Sequence, residues 1–239
     1  MNALIVTLRS ERPLRLPIAY NQFVQGALDA LWREASSAFP NVGDSRHPFR
    51  LYTFSPLLGR YSIEGKEIIF SGVIRLEIRS PSADFIKELA ARMIENGSIR
   101  LGTRDLTITD MQSADKLLFY PSARIRTLAP VTVYENTTDG EEIYYAPMDG
   151  KFAELLEANL ATKLRTTGSN AAPSLKFRLT RKPPRQNVTT FKGSRITGYS
   201  GEFLLEADPA AIKLLYYTGL GTRNSQGFGM FNIEEQNLK

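Results

Sequence analysis

Between residues 3 and 109 the hydrophobic period of the chain switches between two and about 3.6 in a fixed order. Residues 3–8 (Ala-Leu-Ile-Val-Thr-Leu) are apolar but for Thr7, the pattern of a buried strand. Pro13 and Pro17 punctuate the loop expected next. In residues 21–39, Phe23, Ala27, Leu28, Leu31, Trp32 and Ala35 recur at helical spacing, and Pro40, Asn41 and Gly43 end that helix. Residues 49–54 alternate like a strand and stop at Pro56. Residues 60–70 predict a hairpin turning at Glu64-Gly65, and residues 73–78 alternate again. Residues 82–96 predict a second amphipathic helix closed by Gly97, followed by a strand over residues 99–109. Strand, helix, strand, strand, helix, strand is the split βαβ order of a ferredoxin-like domain.

Residues 113–121 are a plausible linker, and the order then roughly repeats. Strands are expected over residues 123–134, 141–145, 175–179 and 196–205, with a last one over 227–233. Helices are expected over residues 151–164 and 209–217, the second opened by Asp208. The sequence therefore predicts an α+β chain of two tandem ferredoxin-like (RRM-like) domains, residues 1–116 and 117–239. That fold serves many functions and does not choose among them.

The chain has no cysteine and a single histidine, His47, so disulfides, zinc fingers, iron–sulfur clusters and histidine-rich metal sites are excluded. No metal or cofactor is expected. No apolar run is long enough to span a bilayer, and residues 1–10 lack a signal-peptide layout, so a cytoplasmic protein without a membrane partner is expected.

Net charge is +5, and its placement matters more than its size. Residues 158–201 contain no Asp or Glu but nine of the thirty basic residues: Lys163, Arg165, Lys176, Arg178, Arg181, Lys182, Arg185, Lys192 and Arg195. Elsewhere twenty-one basic residues face twenty-five acidic ones, so the whole positive excess lies in one segment. Such asymmetry is an electrostatic footprint for a polyanion, although charge runs are also common on solvated faces. Lys182-Pro-Pro-Arg185 stiffens the middle of the segment. Phe191 and Tyr199 are able to stack on bases or to pack in the core, with the core favoured for Tyr199 and Phe203.

Near the end of the chain, residues 219–229 read Gly-Leu-Gly-Thr-Arg-Asn-Ser-Gln-Gly-Phe-Gly. Glycines permit positive φ and close backbone approach, and such loops offer amides to phosphate. The loop follows a helix and opens none, so it is not a dinucleotide fingerprint, and it lacks the Gly-Lys-Ser/Thr of a P-loop. A tight helix-to-strand turn is the alternative.

Three segments together resemble the CRISPR-associated endoribonucleases that process precursor guide RNA, within the repeat-associated RNA-binding superfamily. They are residues 219–231 with their Gly-Phe-Gly ending, residues 16–20 (Leu-Pro-Ile-Ala-Tyr) before an apolar helix, and residues 49–55 (Phe-Arg-Leu-Tyr-Thr-Phe-Ser). They fall in family order and span almost the whole chain. The resemblance implies tandem ferredoxin-like domains around a basic cleft, CRISPR repeat RNA as partner, and metal-independent cleavage. In that chemistry the ribose 2′-hydroxyl attacks the adjacent phosphate, which leaves 2′,3′-cyclic phosphate and 5′-hydroxyl ends. It implies Tyr20 near the 2′-hydroxyl, His47 as acid or base, and a cation for the phosphate, for which Arg50 is the candidate beside Arg46, Arg60 and Lys66. His47 lies four residues after Gly43, whereas many members carry the histidine before the glycine. The RNA-contact candidates are Lys176, Arg178, Arg181, Lys182, Arg185, Lys192 and Arg195, with Gly219, Gly221, Arg223, Gly227 and Gly229 in the loop. A non-catalytic repeat-RNA binder, a structural subunit of a guide-RNA effector complex and a small-anion protein are the rival readings. A homodimer is open.

Overall fold

A computed structural model of the chain describes residues 1–33, 51–113 and 117–237. The first half contains β1 (Ala3–Arg9), β2 (Leu14–Pro17), α1 (Asn21–Arg33), β3 (Thr53–Phe54), β4 (Leu58–Glu64), β5 (Glu67–Arg79), α2 (Ala83–Asn96), β6 (Ser98–Leu101) and β7 (Arg104–Ser113). The second contains β8 (Ser122–Thr127), β9 (Tyr134–Asn136), β10 (Glu142–Tyr144), α3 (Gly150–Thr167), β11 (Leu175–Leu179), β12 (Arg185–Phe191), β13 (Ser194–Ser200), β14 (Glu202–Ala207), α4 (Pro209–Thr218) and β15 (Phe231–Gln236).

Both halves place their strands in the same antiparallel order. In the first, β1 lies between β5 and β7, with β4 on the far edge of β5. In the second, β8 lies between β14 and β15, with β11 on the far edge of β14. Each is the spatial order fourth, first, third, second of a ferredoxin-like sheet. Leu4, Val6 and Leu8 of β1 and Ile74, Leu76 and Ile78 of β5 point to one face. There they bury Val24, Leu28 and Leu31 of α1 and Phe85, Ile86, Leu89 and Met93 of α2. The second core gathers Ala123, Ile125, Phe203, Leu205 and Phe231 from strands with Phe152, Leu156, Leu160, Ile212 and Leu215 from helices. The N-cap of α2 is Ser82, whose Oγ accepts from Phe85 N, and Gly97 closes the helix at φ +64°.

Several expected strands divide differently. The β5 strand runs unbroken from residue 67 through 79, so the expected hairpin arm and the strand at 73–78 are one element with Gly72 at φ +76°. Residues 99–109 form two strands, β6 and β7, turned at Gly102. Residues 123–134 are broken at Thr127, and residues 196–205 at Gly201, where β13 leaves for its own hairpin. The short β2 lies between Pro13 and Pro17, where a loop was expected, because Pro17 sits at a strand end that needs no donor.

The halves are joined by a buried cation. Arg79 at the end of β5 is 1% exposed. Its Nη1 donates to Phe231 O at 2.7 Å, its Nη2 to Asn232 Oδ1 at 2.8 Å and its Nε to Glu77 Oε1 at 2.6 Å. Its guanidinium lies 3.9 Å from the centroid of Tyr216.

Candidate nucleic-acid interface

The start of α1 gathers the segments that the sequence holds far apart. Tyr20 is buried at 8% exposure, and its hydroxyl accepts a hydrogen bond from Leu57 N at 3.0 Å. Burial pushes the Tyr20 phenol above its ordinary value of 10, only partly offset by that amide. The phenol is therefore neutral near pH 7 and fitted to donate a proton in a hydrogen bond rather than to remove one. The next residue, Asn21, reaches across to the glycine loop and donates to Gln226 O at 3.0 Å and Gly227 O at 3.2 Å. Phe54 stands on the same spot, because a Cβ at Gly227 would lie 2.5 Å from its ring and 2.8 Å from Asn21 Nδ2. Gln22, one position on, accepts from Lys192 N at the tip of the β12–β13 hairpin at 3.3 Å. His47 and Arg50, with the first residues of the 49–55 segment, lie outside the described residues.

The glycines are required, for a reason other than the one expected. Gly219, Gly221, Gly227 and Gly229 all take positive φ, between +73° and +87°. A Cβ at Gly229 would lie 2.0 Å from Leu220 O, and one at Gly221 2.4 Å from Thr132 O. The close approach is thus to the protein's own backbone. The amides of Gly219, Gly227 and Gly229 donate to Leu215 O, Asn224 O and Pro130 O, so the expectation that they stand open to phosphate is corrected. Arg223, itself at φ +57°, is also engaged. It pairs with Glu142, donates to Gln226 Oε1 at 3.2 Å and lies over Tyr134 at 4.6 Å. What the loop shows outward is Thr222, Ser225 and Gln226, all half-exposed.

Beneath the loop lies a residue that the sequence counted in the acid-free basic stretch. Lys163 of α3 is 1% exposed. Its Nζ donates to Gly219 O at 2.6 Å, Asn224 Oδ1 at 2.8 Å and Gly221 O at 3.2 Å. Burial lowers its ammonium to about 7 from an ordinary 10.5, while the three oxygens match the three protons of the charged form. The signal was available: Lys163 falls on the stripe of Phe152, Leu156, Leu160 and Leu164 that buries α3.

The basic segment divides in two. On β11 and just after it, Lys176 and Arg178 pair with Glu206, and Lys182 with Glu202. These carboxylates come from β14, the antiparallel neighbour, immediately beyond the acid-free run. On and before the β12–β13 hairpin, Arg181, Arg185, Lys192 and Arg195 are exposed, and no ion pair to them is found among the described residues. Lys192 and Gly193 form the hairpin tip at φ +49° and +88°. Phe191 is 5% exposed and packs with Ile196 and Phe228, so it anchors the hairpin to the glycine loop rather than stacking on a base. Phe203 and Tyr199 belong to the second core, as expected. Among the described residues no cluster of metal-ligating side chains occurs, and no helix is long and apolar enough to cross a membrane.

Two ferredoxin-like units of one strand order, with a glycine-rich loop ahead of the last strand, define the tandem class of repeat-associated RNA-binding (RAMP) proteins. Solved structures agree on the fold. A Cas6-related protein of Pyrococcus furiosus superimposes with a TM-score of 0.84 at 19% identity, over 98% of this chain and 99% of that one. A RAMP protein binding different RNA substrates gives the same TM-score and identity, over 98% and 100% of the two chains. Residues 114–233 match the family model described as CRISPR associated protein Cas6, C-terminal, and the chain belongs to that family. It is 28% identical to CRISPR-associated endoribonuclease Cas6 1 of Methanocaldococcus jannaschii, over 94% of this chain and 90% of the relative.

Proposed function

We propose that this chain is an endoribonuclease that cuts CRISPR repeat RNA to release guide RNA. The observation that supports it best is the meeting of Tyr20, Leu57, the glycine loop and the basic hairpin at the start of α1. On this reading residues 1–116 carry the reacting groups and residues 117–239 grip the RNA. Repeat RNA lies across the hairpin, with Arg181, Arg185, Lys192 and Arg195 on phosphates. Glu202 and Glu206 keep Lys176, Arg178 and Lys182 in a lesser role.

The RNA supplies its own nucleophile. The 2′-hydroxyl oxygen attacks the adjacent phosphorus, its proton passes to a base, and a P–O bond forms. The bond from phosphorus to the 5′ oxygen breaks, and an acid delivers a proton to that oxygen. No water is consumed, and the ends are 2′,3′-cyclic phosphate and 5′-hydroxyl. His47 carries the side-chain type best suited to pass such protons. Tyr20, neutral and fixed by Leu57 N, orients the 2′-hydroxyl. Arg50 faces the phosphate charge that grows in the transition state. On this reading the protein works in the cytoplasm, where such transcripts are made.

The test is cleavage of the host's repeat RNA in EDTA by wild type and His47→Ala, with a control RNA carrying a 2′-deoxy sugar at the scissile position. Cutting by wild type alone, with the deoxy RNA intact, is the expected result. Tight binding without cutting would make the chain a non-catalytic repeat-RNA binder.

A further inference from the structure

Lys163 has no part in the chemistry just described, yet it is the most deeply enclosed ammonium among the described residues. A buried cation without a carboxylate is costly, and it persists where its protons are all accepted. Here they are accepted by Gly219 O, Gly221 O and Asn224 Oδ1, three oxygens that belong to the glycine loop and to nothing else. The connection continues from Asn224. Its Nδ2 donates to Phe228 O at 3.0 Å and Leu220 O at 3.2 Å, which ties the two limbs of the loop together. Its backbone O accepts from Gly227 N at 3.0 Å. Gly227 O then accepts from Asn21 Nδ2, the residue after Tyr20.

We infer that Lys163 is a positioning residue for the candidate site, holding the glycine loop so that the loop in turn holds the start of α1 and Tyr20. Two features make this more than core packing. The contacts of the ammonium are to loop backbone and to one loop side chain, not to its own helix. The loop's far end meets the other half of the protein through Asn21 and Phe54, so a shift of the loop moves the α1 start directly. The inference rests on the endoribonuclease reading for its catalytic consequence, but not for the coupling itself.

The experiment compares wild type, Lys163→Met, Asn21→Ala and the double variant by amide hydrogen exchange and by single-turnover cleavage of repeat RNA. Lys163→Met is expected to speed exchange both in residues 219–229 and at residues 20–24. It should slow cleavage on the order of tenfold or more, as misplacement by a fraction of an ångström does. RNA affinity should change by less than about threefold, so that the loss falls on the chemical step. The double variant is expected to be no slower than the slower single variant, because both break one connection. Faster exchange in the loop alone, with residues 20–24 still protected, would overturn the inference, as would additive losses. If Lys163→Met does not fold, Asn224→Ala carries the same expectations. If wild type fails to cut the repeat, the endoribonuclease reading fails, and the exchange measurements alone decide the coupling.

Discussion

The strand β11 and the β12–β13 hairpin lie next to each other in sequence and carry similar charge, but their cations are in different circumstances. Lys176 and Arg178 meet Glu206 across the sheet, and Lys182 meets Glu202. Arg185, Lys192 and Arg195 stand on a two-stranded ribbon whose strands carry no carboxylate at all. Cations already matched by carboxylates gain less from a phosphate than cations that face water. Charge available to a polyanion is thus set by the neighbouring strand, not by the local run.

The comparison is most severely broken by Gly229→Ala, since the hairpin rests on Phe228 of the loop while β11 does not. A Cβ 2.0 Å from Leu220 O forces the loop open. Binding of repeat RNA should be lost, and the melting temperature should fall by about 4 °C or more in a thermal melt. Next in size, Arg185→Ala/Lys192→Ala/Arg195→Ala should weaken repeat binding by about tenfold or more at moderate salt. It should also lower the slope of log K against log salt by about two. An unchanged slope would put the RNA elsewhere. Smaller again, Glu202→Gln/Glu206→Gln should free the β11 cations and tighten binding by about two- to fivefold. Lys176→Ala/Arg178→Ala should alter affinity by less than about twofold. Equal losses from this pair and from the hairpin set would erase the distinction.

The smallest expected effect is in acid. Lys182, and then Arg126 and Arg124, hold the Glu202 carboxyl below its ordinary 4.5. A carboxyl lowered in the folded state lends stability above its unfolded value and loses it as pH falls through the folded one. Wild type and Lys182→Ala should therefore differ slightly in melting temperature above about pH 4.5 and converge below it. A difference that does not shrink at all as pH falls below 4.5 would show that the pair does not act through Glu202.

Much of the fold was legible because the period-two and period-3.6 segments follow their order twice. The turn at Gly102 and the break at Gly201 were not, since apolar residues recur on both sides of each glycine and a single glycine does not show where a strand turns back or changes partner. The described parts of the three resembling segments do converge, with Phe54 against Gly227 and Asn21, the residue after Tyr20, on the glycine loop. The loop glycines take the positive φ that glycine permits, but sequence alone does not distinguish a backbone that approaches a ligand from one that approaches its own chain. The pairing of Lys176, Arg178 and Lys182 was hidden because Glu202 and Glu206 begin where the acid-free window ends. Register across a sheet, not distance along the chain, made those contacts.

Arg79 gives the molecule a fixed gauge. To swing one half against the other, its guanidinium would have to leave Phe231 O, Asn232 and the face of Tyr216 while still buried. Stripping a buried charge of its partners costs on the order of 3–5 kcal/mol. The spacing between the two sheets is accordingly set before any RNA arrives. Any ligand that touches both halves then meets them at a separation the protein itself has set.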